Sequence, residues 1–207
     1  TITATKPQTT TKTFLIDVDP LHDVLKMVGS IIEHSQVMQI LSHVKLDLSG
    51  DRLVATASDS EIELVASTTL VEPVTEPFSI AISCRKMIEI CKTLPSGSTM
   101  ICQFDKGWLR VRSNQSKFTL ATLSAESFPT MTLDDKHTTW GIDSGALQQL
   151  MTSSAFAMAE QDVRFFLNGL HLKILDQSLQ MVATDGHRLA VAETAIDVDA
   201  ALSTQCI

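Results

Sequence analysis

The sequence predicts an α+β fold made from one unit written repeatedly: a strand, a helix, then three strands in a meander. Three observations predict it. Short runs of period-two alternation are separated by Gly, Asp and Ser turns. Single stripes of apolar residues at helical spacing sit between them. The same order of elements occurs three times within 207 residues. A meander with one covering helix buries only one sheet face, so each unit needs a partner. Units one and two pair into a domain with helices on one face of antiparallel sheets, and unit three is left without a partner.

In the first copy, Thr13 to Val18 alternates as a strand. Asp19-Pro20 reads as a helix start, with an N-cap carboxylate and proline at the first helical position. Leu21, Val24, Leu25, Val28, Ile31 and Ile32 follow as one stripe. Strands are predicted at Val44–Leu48, Leu53–Ala57 and Ile62–Ser67, with turns at Ser49-Gly50-Asp51 and Ser58-Asp59. Glu72-Pro73 and Glu76-Pro77 mark a break.

The second copy opens with a strand at Phe78–Ile82, and Ser83 caps a helix whose stripe is Cys84, Met87, Ile88 and Cys91. Leu94-Pro95-Ser96-Gly97 stops that helix. Met100–Phe104, Trp108–Arg112 and Phe118–Leu123 form the second meander. The third copy begins at Thr138–Ile142, with Asp143 or Ser144 capping a helix that extends to Glu160. Its buried side is Leu147, Leu150, Met151, Ser154 and Met158. Leu167–Ile174, Leu179–Thr184 and Arg188–Thr194 are its meander, and Asp197–Thr204 is a polar connection. The expected organisation is a tail without regular structure over 1–12, a first domain over 13–126, a connection over 127–137 and half of a second domain over 138–207.

Hydrophobic residues make up 44% and charged residues 19%, ordinary for a globular protein. No apolar run approaches the ~20 residues that span a bilayer, and the N-terminus lacks the apolar core of a signal peptide. A cytoplasmic protein with no membrane partner is expected. Cys84, Cys91, Cys102 and Cys206 show no metal-ligand spacing, so reduced thiols are expected, with no metal and no cofactor. The net charge of −8 argues against tight nonspecific nucleic-acid binding, unless positive charge is confined to one face.

The most informative stretch is Met181–Thr194, MVATDGHRLAVAET. Two alternating runs flank Asp185-Gly186, a strong hairpin signal. A His, an Arg and a Thr hydroxyl form a polar rim beside the turn, and Leu189 supplies an apolar floor. That describes a binding site more readily than a catalytic one. A catalytic reading would recruit Asp185 and His187 with Thr184 or Ser178 as nucleophile. No nucleophile elbow, Gly-rich phosphate loop or metal-ligand spacing supports it, so no catalytic residue is assigned.

The segments ILSHVKLDL with ATASDSEIELVA, RKMIEICKTLP, SKFTLATLSAESFP, MAEQDVRFFLNGL and VATDGHRLAVAE, in that order, resemble the bacterial beta sliding clamp family, the beta subunit of DNA polymerase III. The likeness runs from about Phe14 to the end. It implies a DNA-clamp fold and a non-catalytic processivity factor that closes as a homodimer around duplex DNA. It also implies tethering of the replicative polymerase, clamp loader and repair proteins through short peptide motifs with apolar anchors. Only the family's first domain and half of its second are matched, so the third domain and a closed ring are not expected of this polypeptide alone. A stand-alone peptide-binding module that does not act on DNA is the alternative.

By this resemblance the client-peptide groove is partly built by Leu167, Thr184, Gly186, His187, Arg188 and Leu189. DNA-facing positions match Ser35, Gln161, Phe165 and Phe166. Ser35 stands where a basic residue is common and the phenylalanines where tyrosines are, departures that remove polar contacts. Arg85, Lys86 and Lys92 on the second helix either face phosphates, as assigned to Arg85 and Lys92, or form a solvated face. The third helix carries no Lys or Arg, so DNA would be held by enclosure rather than by strong salt-dependent affinity. The dimer edge would include Lys86, Lys117, Phe118 and Leu120, with one of the two apolar residues given to the core.

Overall fold

The computed structural model describes residues 11–32, 38–131, 141–175 and 177–196. The tail up to residue 10, Ser35, the start of the third copy at Thr138, Asp197–Thr204 and Cys206 lie outside the described residues. The chain divides into two compact units, Thr1–Thr132 and Leu133–Ile207.

Unit 1 runs β1 (Lys12–Asp17), α1 (Val18–Val28), β2 (His43–Ser58), β3 (Glu63–Ser83), α2 (Cys84–Thr93), β4 (Thr99–Asp105), β5 (Trp108–Ser113) and β6 (Ser116–Leu123), with 3-10 turns at Gly29–Ile31 and Gln39–Ser42. The strands form one antiparallel sheet in the order β1-β4-β5-β6-β3-β2.

The two copies complete each other by exchanging first strands. β1 pairs with β4 so that Asp17, the residue before α1, faces Thr99. The second copy's first strand, the end of β3, pairs with β2 so that Ser83, the residue before α2, faces His43. In both cases the residue before the helix meets the opening residue of the other copy's meander. Both helices then share one core with the inner sheet face: Leu21 and Leu25 from α1, Met87 from α2, and Phe14, Leu46, Ile80, Met100 and Leu109 from the strands are all buried. Pooling two single-sided sheets gives one core large enough to exclude water, which neither copy builds alone.

Several boundaries differ from expectation, each for a physical reason. The N-cap of α1 is Asp17, not Asp19, and Pro20 falls in the first turn, where its missing N–H has no helical acceptor to lose. Asp19 instead accepts the Ser96 hydroxyl (2.7 Å) and the Gly97 N–H (2.8 Å), tying the start of α1 to the turn after α2. Ser83 sits at the N-cap of α2 but its hydroxyl makes no capping bond, and Ile90 rather than Ile88 joins the buried stripe. The turn expected at Ser49-Gly50-Asp51 lies inside the extended run β2, where Gly50 takes φ +57° and the register with β3 shifts. The two halves of β2 pair with different stretches of β3, 43–48 with 78–83 and 52–58 with 63–69. The predicted Glu-Pro break is extended as part of β3. Between Leu70 and Pro77 only Val74 has a ladder partner in β2, so the prolines cost no hydrogen bond there. Phe128, placed by its sequence in the connection, is buried against Ile40, Leu41 and Ala81.

Unit 2 consists of α3 (Ser144–Ser154) and the sheet β7-β8-β9, with β7 at His171–Leu175, β8 at Ser178–Thr184 and β9 at Leu189–Ala195. Asp143 caps α3, its Oδ1 accepting the Ala146 N–H at 2.9 Å. The helix ends six residues before the predicted Glu160. Thr152 and Ser154 bond their hydroxyls back to the Gln148 and Leu150 carbonyls, and Ser154 leaves helical φ for a 3-10 turn at Ala155–Ala157. Met151, predicted on the buried side, is 46% exposed. Leu167 lies on a 3-10 turn at Phe165–Leu167, and its strand begins only at His171. The core is Leu150, Ile174, Leu179, Met181 and Ile196.

Candidate functional site

The turn between β8 and β9 holds the residues singled out by the sequence. Thr184 and Leu189 form the last register pair, leaving a four-residue loop, Asp185 to Arg188. Gly186 has φ +92°, a conformation that side-chain-bearing residues resist. Asp185 Oδ1 accepts the backbone N–H groups of His187 (2.8 Å) and Arg188 (2.9 Å). Its Oδ2 accepts the Nε–H of Arg188 at 2.9 Å. The backbone N–H groups of Arg188 and His187, with the nearby guanidinium, hold the Asp185 carboxyl at about 2. The Thr184 hydroxyl donates to the Arg188 carbonyl (2.7 Å) and accepts the Gly186 N–H (3.1 Å). Thr184 therefore builds the turn rather than offering a free hydroxyl to a peptide, as the sequence suggested.

A second turn, not foreseen, completes the site. Asp162 Oδ1 accepts the backbone N–H (2.8 Å) and Nε–H (3.0 Å) of Arg164, and its Oδ2 accepts Nη2–H at 2.8 Å. That bidentate pairing with Arg164 holds the Asp162 carboxyl at about 2. The Asn168 carboxamide grips the Asp162 backbone from both sides, accepting its N–H (2.9 Å) and donating to its carbonyl (3.0 Å). The Arg164 guanidinium lies over Gly186, 3.5 Å from where a Cβ would stand. The two turns thus present two guanidinium groups, each braced by its own carboxylate and each about half exposed.

Between them opens a cleft of about 500 Å³, lined by Asp162, Arg164, Asp185, His187 and Arg188 and, on its apolar side, by Phe156 and Met158. Of the expected groove residues, His187 and Arg188 line this cleft. Leu167 and Leu189 do not: Leu167 is half-buried, with its carbonyl bonded to the Ala159 N–H, and Leu189 is 66% exposed on the strand beyond the turn. The signal that would have found Arg164 is its spacing after Asp162, an Asp-x-Arg that mirrors the Asp185…Arg188 pairing.

Among the expected DNA-facing residues of unit 2, Gln161 is exposed at φ +55°, and Phe165 and Phe166 are 82% and 68% exposed with their rings edge to face at 6.0 Å. In unit 1, Lys92 is exposed on α2 and Arg85 is paired with Glu89 at 3.0 Å. At the expected dimer edge, Lys86, Phe118 and Leu120 line one surface depression of about 320 Å³ between α2 and β6. Leu120 is buried in the core, Phe118 packs on it half-buried, and Lys117 alternates to the opposite face of β6. β6 pairs with β3 only at Thr122 and Leu123, so among the described residues Ser116 to Ala121 keep one edge unpaired.

Residues 12–132 match the family profile of the DNA polymerase III beta subunit, N-terminal domain, and residues 141–207 match that of its central domain. The chain is 37% identical over 186 residues to the beta sliding clamp of Pseudomonas putida, covering 90% of this chain and 50% of that protein. It is 33% identical over 183 residues to that of Escherichia coli, covering 88% and 50%. The fold is similar to a DnaN sliding clamp from Pseudomonas aeruginosa solved with griselimycin bound, with TM-score 0.88, 34% identity and coverage of 96% and 53%. It is also similar to the clamp of Caulobacter crescentus, with TM-score 0.86, 29% identity and coverage of 94% and 54%. The chain spans about half the length of the curated relatives it matches, and it belongs to the DNA polymerase III beta subunit family.

Proposed function

We propose that this polypeptide contributes the first domain and part of the second to a cytoplasmic sliding clamp, a ring that encircles duplex DNA and tethers replication and repair proteins through short peptides. The prebuilt turn at Thr184–Leu189 carries the peptide half of this proposal. Its donors are fixed before any ligand arrives, so little ordering entropy is lost on binding. His187 and the free N–H groups of Arg188 hydrogen-bond the peptide, and the exposed Leu189 receives an apolar anchor. We assign Leu167 to the groove on the family resemblance alone. Ring closure would use the open edge of β6 with Phe118, Leu120 and Lys86. Phe165 and Phe166 would meet DNA without the hydroxyls a tyrosine brings, and Arg85, Lys92 and Gln161 would face it.

Titration of a labelled client peptide, the clamp-binding segment of a replicative polymerase, tests the groove. Arg188→Ala should weaken binding by about tenfold, the loss of one or two charge-assisted hydrogen bonds. Equal affinity for the wild-type chain and Arg188→Ala would sink the site assignment.

A further inference from the structure

The solvent face of the β4-β5-β6 meander concentrates positive charge in a chain of net charge −8. Trp108, Arg110 and Arg112 alternate along β5 and are all exposed, Trp108 by 49%. Arg112 lies directly opposite Lys117 of β6 in the ladder. Like charges placed directly across an antiparallel pair destabilise it, and among the described residues neither has a carboxylate within salt-bridge distance. Of the acids on the same face, one reaches only the edge of this cluster and the other is engaged away from it. Asp105 reaches Arg110 at 3.9 Å, and Asp17 accepts the Thr99 hydroxyl at 2.7 Å. The other register neighbour of Arg112 is Ile101, itself 43% exposed.

From this juxtaposition we propose that the outer sheet face of unit 1 binds single-stranded nucleic acid across β5. Arg110, Arg112 and Lys117 take backbone phosphates, and Trp108 stacks on a base. Successive outward side chains on one strand stand about 6.6 Å apart, comparable to the separation of successive phosphates in an extended single strand. A flat sheet carrying an aromatic side chain beside basic ones is a stacking platform, and stacking tolerates any base. Neither a duplex groove nor an enclosing ring is required, so the site is independent of the function proposed above. An acidic peptide would find the charge but has no use for the exposed indole, which favours the nucleic acid.

The test is fluorescence anisotropy of a labelled oligothymidylate with the full 207-residue chain at low and high salt. Arg110→Glu/Arg112→Glu should weaken binding by about tenfold or more and flatten its salt dependence. Trp108→Ala should weaken it by roughly fivefold or more, and Arg110→Lys/Arg112→Lys should retain most of it. Arg188→Ala, in the peptide turn, should leave it unchanged. A Trp140→Phe background leaves Trp108 as the only indole, whose emission should be quenched by the oligonucleotide without any change at the basic residues. Equal affinity in wild type and the double Glu variant would overturn the proposal. So would an unquenched Trp108, equal affinity for duplex of the same length, or binding seen only to polyglutamate or to phosphatidylserine vesicles.

Discussion

Asp185 and Arg188 are joined at both ends of the carboxylate, one oxygen taking the arginine's backbone N–H and the other its Nε–H, each at 2.9 Å. The pairing fixes where the guanidinium's remaining donors point. Asp185→Asn keeps the size of the side chain but removes its charge, and should weaken client-peptide binding by several-fold while far-UV circular dichroism stays unchanged. The carboxyl is depressed from 3.8 to about 2 in the folded chain. Its contribution is therefore complete above the unfolded value and is lost as pH falls through the folded one. A carbon-13 titration should place the Asp185 midpoint near 2, and a midpoint at the ordinary carboxylate value would contradict the geometry.

Gly186 should not tolerate a side chain. At φ +92° an alanine is strained, while its Cβ, 3.5 Å from the Arg164 guanidinium, would make only ordinary contact. Gly186→Ala should destabilise unit 2 by roughly 1 kcal/mol through strain in the Asp185–Arg188 turn. Thermal unfolding followed with peptide titration would show the losses of stability and of peptide affinity together.

The cap of α3 offers a contrast remote from the turn. Asp143→Ala removes the acceptor for the Ala146 N–H and should cost about 1 kcal/mol of stability, leaving peptide affinity within twofold or so of wild type at temperatures where the chain stays folded.

How much of this was legible in the sequence depended on how local the cause was. The first two copies, the starts of α2 and α3 and the Asp185-Gly186 turn follow from spacing within a few residues, and the structure holds them there, whereas α3 stops at Ser154, short of the predicted Glu160. Much of the rest needed a distant partner. Asp19 reads as a cap because Pro follows it, but its acceptors are spent on Ser96 and Gly97, which no local pattern connects to it. Glu72-Pro73 reads as a break, yet an extended run absorbs prolines where the ladder is not using their nitrogens. Arg164 pairs locally with Asp162, but its place over Gly186, 22 residues on in the chain, has no local signal. The Asp162–Asn168 grip spans only six residues but joins a side chain to backbone, which periodicity does not reveal.

His43 opens β2 almost fully buried, with Nδ1 at 3.0 Å from the Gln39 carbonyl. Burial lowers its affinity for a proton, and Lys86 adds to that. The unfolded chain then binds more protons than the folded one, so stability is full above the ordinary value of 6.5 and declines as pH drops below it. Unit 1 should melt at a lower temperature at pH 5.5 than at pH 7.5, and His43→Gln should flatten that difference. An unchanged pH dependence in the variant would reassign the effect.

The exchange of first strands between the two copies makes each helix depend on the same core. Leu46→Ala, far from either helix in sequence, should cost about 2–5 kcal/mol and unfold α1 and α2 in one transition by hydrogen exchange. Separate transitions would mean that the copies fold independently.

Enclosure of DNA is the claim on which the functional account turns, and retention on closed and opened DNA measures it directly. The natural full-length polypeptide, loaded onto nicked circular plasmid and passed through a sizing column, should stay with the circle and be lost once a restriction enzyme linearises it. Equal retention on circular and linear DNA would mean that the protein grips DNA by surface affinity, and the clamp reading would fail.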